Sequence, residues 1–152
     1  MCKRIIFFGF LEVLILSFNL TGIATAAEND SRLARSVTGV YSDMCYNVGG
    51  GDILGMEIQV VYSKKGYYVV YQTSEGEPSV PVVIQTTIKD RTIEFQIPEE
   101  VPFSGNFYGQ ITDKGIEGKI EGYSGYASKL ILKRQLSYWQ RLPGDNVCRK
   151  KS

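Results

Sequence analysis

Histidine is missing from this 152-residue chain. Its absence excludes Ser-His-Asp and Cys-His catalysis, because both need an imidazole to take a proton from the nucleophile. It also excludes every metal site that depends on histidine ligands. Glu117 and Glu121 could share one face of a strand, but their alternation with isoleucines is typical of a solvated surface. We therefore predict a non-enzymatic protein with no catalytic residue, no metal site and no cofactor.

Net charge of either sign is also small, with 17 lysines and arginines against 16 aspartates and glutamates. Nucleic-acid-binding domains usually carry an excess of basic residues gathered on one face. The one basic run, residues 149–151, lies in the C-terminal tail, where charged residues usually serve solubility. We therefore do not expect nucleic acid to be a partner.

A single long apolar run stands near the N-terminus. Lys3 and Arg4 precede an apolar stretch over residues 5–23, and small residues follow at Ala24-Thr25-Ala26. This order of a basic, an apolar and a small-residue region is typical of a secretory signal peptide. We predict that residues 1–26 are removed and that the protein is exported, to a periplasm or to the extracellular space.

An uncleaved membrane anchor is the alternative interpretation of the same run. The stretch approaches the roughly 20 apolar residues that cross a bilayer as a helix. Glu12 and Asn19 lie within it, however, and polar side chains there disfavour permanent insertion. We expect no stable membrane anchor after cleavage.

Cysteine is scarce, with three in the chain. Cys2 belongs to the predicted signal peptide, which leaves Cys45 and Cys148. A pair of cysteines in an oxidising compartment favours a disulfide, whereas two free thiols are the alternative. Closing a loop of this length contributes about 4–5 kcal/mol through chain entropy. The bond would tie the C-terminal tail back to the first strand.

No amphipathic helix of useful length is predicted after residue 26. Apolar and polar residues alternate instead, most clearly from Leu54 to Tyr62, and a period of two indicates a strand with one buried face. Eight such segments, the first from Val37 to Tyr46, follow one another with turn residues between them, as in Asp113-Lys114-Gly115.

This succession predicts an all-β protein. We expect a single small antiparallel eight-stranded up-and-down barrel, because closure removes the exposed edges, and an open β-sandwich is the alternative. Residues 27–36 would form an N-terminal extension, residues 37–138 the barrel, and residues 139–152 a tail held by the disulfide.

Two short features resemble lipocalins. Gly39-Val40-Tyr41 opens the first strand as a Gly-x-Trp signature opens the first strand of that family, and the last strand ends near Arg134. Tyr41 stands where the family has tryptophan, and the family's C-terminal helix is missing. The resemblance implies a small lipocalin-like barrel that carries an apolar or amphiphilic ligand.

Four glycines lie inside predicted strands, where glycine often marks a bulge or a close approach: Gly55, Gly109, Gly118 and Gly122. Their small size would leave room in a barrel lumen. Carriage inside the barrel fails as a hypothesis if large apolar side chains fill that lumen, the candidates being Met56, Ile58, Phe95, Phe107 and Leu132.

Tyrosine is abundant, with ten in the chain. Tyr67, Val69 and Tyr71 share one face of a strand, and Tyr68 and Val70 share the other. One face must be core, and the other is either an exposed binding patch or covered by the N-terminal segment, the tail or a partner chain. Tyrosine is common at recognition surfaces, although simple β-propensity is the alternative explanation. The candidate ligand- or partner-binding residues are Tyr62, Tyr67, Tyr68, Tyr71, Tyr123 and Tyr126.

Two kinds of binding protein fit these observations. One is an exported barrel for a small apolar or amphiphilic ligand. The other is a periplasmic protein-binding module, such as an inhibitor or immunity protein, that contacts an envelope protein through the tyrosine-rich strand face.

Overall fold

The computed structural model describes residues 31–122 and 129–148. The predicted signal peptide, Tyr123 and Tyr126 lie outside these residues. Residues 31–37 are helical, and a short 3₁₀ helix spans Tyr138–Gln140. The strands are β1 Gly39–Ser42, β2 Cys45–Asn47, β3 Asp52–Ser63, β4 Gly66–Gly76, β5 Val82–Lys89, β6 Thr92–Ile97, β7 Gly105–Ile111, β8 Gly115–Glu121 and β9 Leu130–Arg134.

Eight of the strands close into an antiparallel barrel. From β3 to β9 each strand pairs with the next along the chain, and β1 pairs with both β9 and β3, which completes the circle. The short β2 is an additional strand paired with the first residues of β3. The prediction of an all-β up-and-down barrel is confirmed, and the architecture is consistent with a lipocalin-like barrel.

The segment predicted as one first strand is broken at Asp43. The Asp43 carboxylate accepts a hydrogen bond from the Met56 backbone N–H at 2.7 Å, in place of a ladder partner. Opposite the break, Gly55 adopts a φ of +104°, which disfavours any side chain. A Cβ at Gly55 would also meet the Asp43 backbone oxygen at 2.9 Å. β1 and β2 therefore continue along β3 with a bend between them.

Residues 31–37 form a short helix beside the predicted strands, where no amphipathic helix of useful length was expected. Ala34 and Val37 are buried in the core, and Leu33 packs against it. Their spacing places the three side chains on one helical face. The seven described residues make about two turns, which are too few for a helical period to be recognised in the sequence.

Arg134 and Tyr41 join this helix to the barrel. The Tyr41 hydroxyl donates to the Val37 carbonyl at 2.7 Å, and the Arg134 guanidinium lies 5.7 Å from the Tyr41 ring centre. Arg134 also donates to the carbonyls of Ser36 and Thr38, each at 2.7 Å. The helix thus packs where β1 begins and β9 ends.

Large side chains fill the barrel interior. Phe95 and Phe107 stack with ring centres 4.7 Å apart, and Tyr71 meets Phe95 edge-on at 6.2 Å, so one aromatic row reaches from β4 to β7. Five large apolar side chains lie in this core, and their burial argues against carriage of a ligand inside the barrel: Met56, Ile58, Phe95, Phe107 and Leu132.

The strand glycines serve this packing and do not leave a lumen open. Gly109 and Gly118 face each other across β7 and β8. A Cβ on either residue would come within 2.9–3.1 Å of the Phe107 ring. The space beside these two glycines is therefore occupied by the Phe107 ring, and no room for a ligand is left there.

The predicted disulfide between Cys45 and Cys148 is confirmed, with the Cα atoms 4.8 Å apart. Beside it, Tyr46 pairs with Val147 in a parallel bridge, and the Tyr46 carbonyl accepts the Cys148 N–H at 2.9 Å. The tail is therefore held to β2 by backbone hydrogen bonds as well as by the disulfide.

No helix within residues 31–122 and 129–148 is long and apolar enough to cross a bilayer.

Candidate functional site

The tyrosines of β4 divide between the two sides of the barrel wall, as their alternation predicts. Tyr67 and Tyr71 point inward and are buried in the core. Tyr68 points outward and is half-buried. Tyr62, at the end of β3, is 44% exposed and lies 4.9 Å from Tyr67 between ring centres. Of the described candidates, Tyr68 and Tyr62 therefore reach the surface, and they do not form one cluster with Tyr71.

Apolar side chains continue the outer surface beside Tyr68. Val70 lies two residues further along β4 and is half-buried. Its register partner on β5 is Val83, whose side chain is 69% exposed. Together with Trp139, described next, Tyr68, Val70 and Val83 form what we call the β4–β5 face. Val70 and Val83 are thus apolar neighbours across two paired strands on the outer surface.

Trp139, the only tryptophan of the chain, is held against the same side of β4. Its indole Nε1 donates to the Gln72 side-chain carbonyl at 3.0 Å, while 56% of the residue stays exposed. Because side chains alternate along a strand, Gln72 lies on the same outer side as Val70 and Tyr68. The indole therefore lies beside Gln72, on the same outer side of β4 as Val70 and Tyr68.

A buried carboxylate anchors the turn that carries Trp139. Glu57 accepts a hydrogen bond from the Ser137 hydroxyl at 2.6 Å and another from the Tyr138 backbone N–H at 2.8 Å. Ser137 also caps the short 3₁₀ helix. Hydrogen bonds to a charged acceptor are the stronger kind, so the position of the indole is well defined.

Sequence reasoning missed Trp139 as a site residue. The predicted disulfide brings the tail back to the first strand, which is a signal that the tail covers the barrel wall. The disulfide gives no sign that Glu57 and Gln72, on the outer side of β3 and β4, accept the hydrogen bonds from Tyr138 and Trp139 in the tail.

Gln72 also connects the face to the chain between β4 and β5. Its side-chain amide donates to the Ser79 carbonyl at 2.8 Å, and the Ser79 N–H donates to the Thr73 carbonyl at 2.8 Å. Val80, next in the chain, is 82% exposed. A single glutamine therefore positions both the tail indole and the approach to β5.

The barrel wall is incomplete between β5 and β6. Their ladder holds three pairs, from Thr87 to Lys89 on β5. Within the described residues, Val82–Gln85 pair with β4 and with no strand on the other side. At the point of separation the Thr86 hydroxyl donates to the Glu94 carbonyl at 2.7 Å.

Burial along β5 agrees with this opening. Val82 and Ile84 point toward the core but stay half-buried, whereas Ile88, in the paired part, is buried. The outward Val83 and Gln85 are exposed. An unpaired strand edge flanked by apolar side chains thus borders the β4–β5 face.

Two chain segments beside this edge are acidic. Residues 73–82 and 94–108 flank it at one end of the barrel and contain no lysine or arginine. Their carboxylates are Glu75, Glu77, Glu94, Glu99 and Glu100, all in exposed or half-buried positions. These two segments therefore carry a net negative charge, although the chain as a whole is nearly neutral.

Elsewhere on the described surface, charged groups form separate ion pairs. Glu117 pairs with Lys129 at 2.8 Å, and Glu121 pairs with Lys119, whose pKa is raised by that hydrogen bond. In the part of the chain that the structure describes, no three cysteine or carboxylate side chains gather to hold a metal ion. The candidate site is thus the β4–β5 face with its open edge.

Comparison with family models, curated proteins and solved structures gives no match to this chain.

Proposed function

We propose that this chain is an exported, non-enzymatic binding protein that recognises another protein through the β4–β5 face. The observation that carries the proposal is the placement of large apolar side chains. Large side chains fill the interior, while Trp139 and Val83 are both exposed on the outer side of the wall. Between the two kinds of binding suggested by the sequence, this favours a protein partner in the cell envelope over a small ligand in the lumen.

A filled interior argues against lumen carriage for an energetic reason. A ligand would have to displace packed rings such as Phe95 and Phe107, which stack against each other. Protein interiors pack as densely as organic crystals, so displacement costs contacts that the ligand must replace. An exposed site needs no such rearrangement.

The composition of the face suits protein recognition. Tryptophan and tyrosine are the residues most enriched where binding energy concentrates, because they offer large contact areas with few rotatable bonds. The hydrogen bond to Gln72 fixes the indole before any partner arrives, which lowers the entropy lost on binding. The Cys45–Cys148 disulfide supports export, since such bonds persist in oxidising compartments.

Photo-crosslinking in the exporting host tests the proposal. A benzophenone amino acid is placed at Val83 and, as a matched control, at Val48, a loop valine of nearly equal exposure (69% against 67%). We expect a discrete protein adduct from position 83 and none from position 48.

Native mass spectrometry of the purified protein complements the crosslinking. Equal adducts from both positions, or none from position 83, contradict recognition through this face. A stoichiometric small-molecule mass that is lost on denaturation would instead support lumen carriage and overturn the proposal.

A further inference from the structure

Half of one strand of the barrel lacks a neighbour. Val82–Gln85 use one edge for β4, and among the described residues nothing pairs with the other edge. Across the opening, Phe95–Ile97 of β6 likewise pair with β7 alone. Such edges present unpaired N–H and C=O groups, which are a template for another strand.

Natural proteins usually protect an edge of this kind. Common devices are a lysine on the edge strand, a bulge or a covering loop. Val82–Gln85 contains no charged residue, and its outward Val83 is among the most exposed apolar side chains of the described chain. Pro81 ends the edge on one side, and the Thr86–Glu94 hydrogen bond ends it on the other. The open part is thus short and bounded.

We propose that this edge binds an extended segment of the partner protein by β-strand addition. The inference rests on the proposed function and specifies how the partner is held. Backbone hydrogen bonds to Val82–Gln85 would give the affinity, over about 13 Å at roughly 3.3 Å per residue. Alternate side chains of the segment would contact Val82 and Ile84 on the inner side and Val83 on the outer side.

The charges around the edge determine the chemistry of the segment. The flanking segments 73–82 and 94–108 carry five glutamates and no lysine or arginine, so a segment with lysine or arginine at its ends and apolar residues between them is complementary. A second copy of this chain would bring the same carboxylates against each other. Like-charge contacts of that kind are unfavourable, which argues for a partner of different composition.

A synthetic peptide provides the probe. We choose a fluorescein-labelled peptide of alternating valine and threonine with two lysines at each end, and we measure its fluorescence anisotropy with the mature, disulfide-bonded protein. Two further peptides carry N-methyl groups on one or the other alternate set of backbone nitrogens. Because one set faces the edge and the other faces away, one methylated peptide should bind about tenfold more weakly and the other unchanged.

Replacing the terminal lysines with glutamates should also weaken binding by about tenfold or more, and added salt should reduce the difference. On the protein, Val83→Lys should weaken binding of the basic peptide, whereas Val48→Lys should not.

Hydrogen exchange should show new protection of amides within Val82–Gln85 when the peptide is bound. Equal effects of the two methylation patterns, or unchanged exchange in Val82–Gln85, would overturn strand addition.

The two proposals can fail separately. If position 83 captures a protein in the host but the edge shows no peptide-induced protection, the β4–β5 face is a binding surface and strand addition is wrong. If the peptide protects the edge but no adduct forms in the host, the assignment of function is wrong. Concentration-dependent protection of Val82–Gln85 without peptide would identify a second copy as the occupant and overturn the choice of a basic partner segment.

Discussion

Tyr41 shows how one residue at the start of the barrel couples burial to hydrogen bonding. Its hydroxyl donates to the Val37 carbonyl while its ring lies under Arg134. Burial raises the pKa of Tyr41, and the positive charge of Arg134 opposes that effect in part. The neutral hydroxyl is therefore the form that the folded protein favours.

The raised pKa predicts a loss of stability at alkaline pH. Below the ordinary tyrosine pKa of about 10 the contribution of the neutral hydroxyl is fully present, and it is lost as the pH rises through the higher folded value. Tyr41→Phe removes a buried hydrogen bond and should lower the free energy of unfolding by about 1 kcal/mol at pH 8. The difference between the two proteins should shrink above pH 10, as measured by urea unfolding with the disulfide intact. A difference that stays constant from pH 8 to pH 11 would contradict this account.

Individual side chains also mark the limit of what the sequence could predict. Alternation alone placed Tyr67 and Tyr71 on one side of β4 and Tyr68 on the other, because a strand has a period of two. The same rule could not say what lies opposite a glycine. Gly109 and Gly118 suggest empty space in the sequence, and only three-dimensional packing shows that the Phe107 ring occupies it.

At the scale of elements, the tail from Ser137 to Cys148 belongs to the barrel wall. It is fixed by Glu57 near one end and by the disulfide at the other. Trp139 lies between these two points and is the only tryptophan, so its fluorescence reports the position of the tail alone.

Loss of the Glu57 anchor should release the indole without unfolding the barrel. In Glu57→Ala the Ser137 hydroxyl and the Tyr138 N–H lose their charged acceptor, and hydrogen bonds to charged groups contribute about 1.5–3 kcal/mol each. We expect Trp139 emission to shift to longer wavelength and acrylamide quenching to increase, with the far-UV circular dichroism unchanged. The control is Glu117→Ala, which removes an exposed carboxylate on β8. If both variants fluoresce like the unchanged protein, Glu57 does not hold the turn.

Short elements were the ones that sequence patterns misjudged. The described helical residues 31–37 make about two turns, and their apolar face could not be distinguished from a strand beginning at Val37. The first strand was predicted as continuous because Asp43 looks like any polar residue between apolar ones. Its break depends on a side-chain contact with Met56, thirteen residues away, which no local pattern contains.

For the whole molecule, fold class and pairing order follow from local signals that agree with each other. Successive alternating segments joined by tight turns pair as neighbours, and closure through β1 removes most of the edges. Local signals do not determine whether the closed barrel is hollow or filled. It depends on how the rings from β4, β6 and β7 meet across the interior, so the resemblance to carrier proteins could not decide it.

A filled interior makes a prediction for the entire barrel. Phe107→Ala removes a fully buried ring that stacks on Phe95, and substitutions of this kind cost about 3–5 kcal/mol through lost contacts and the cavity that remains. Tyr108→Ala, at the next residue, which is half-exposed on the outer wall, should lower the free energy of unfolding much less.

Xenon or benzene should bind inside the Phe107 variant, because apolar cavities of this origin stay dry, and should raise its unfolding temperature. The unchanged protein should gain no stability from either probe. If it gains as much as the variant, the barrel already contains a space for an apolar ligand, and the preference for recognition at the outer face loses its main support.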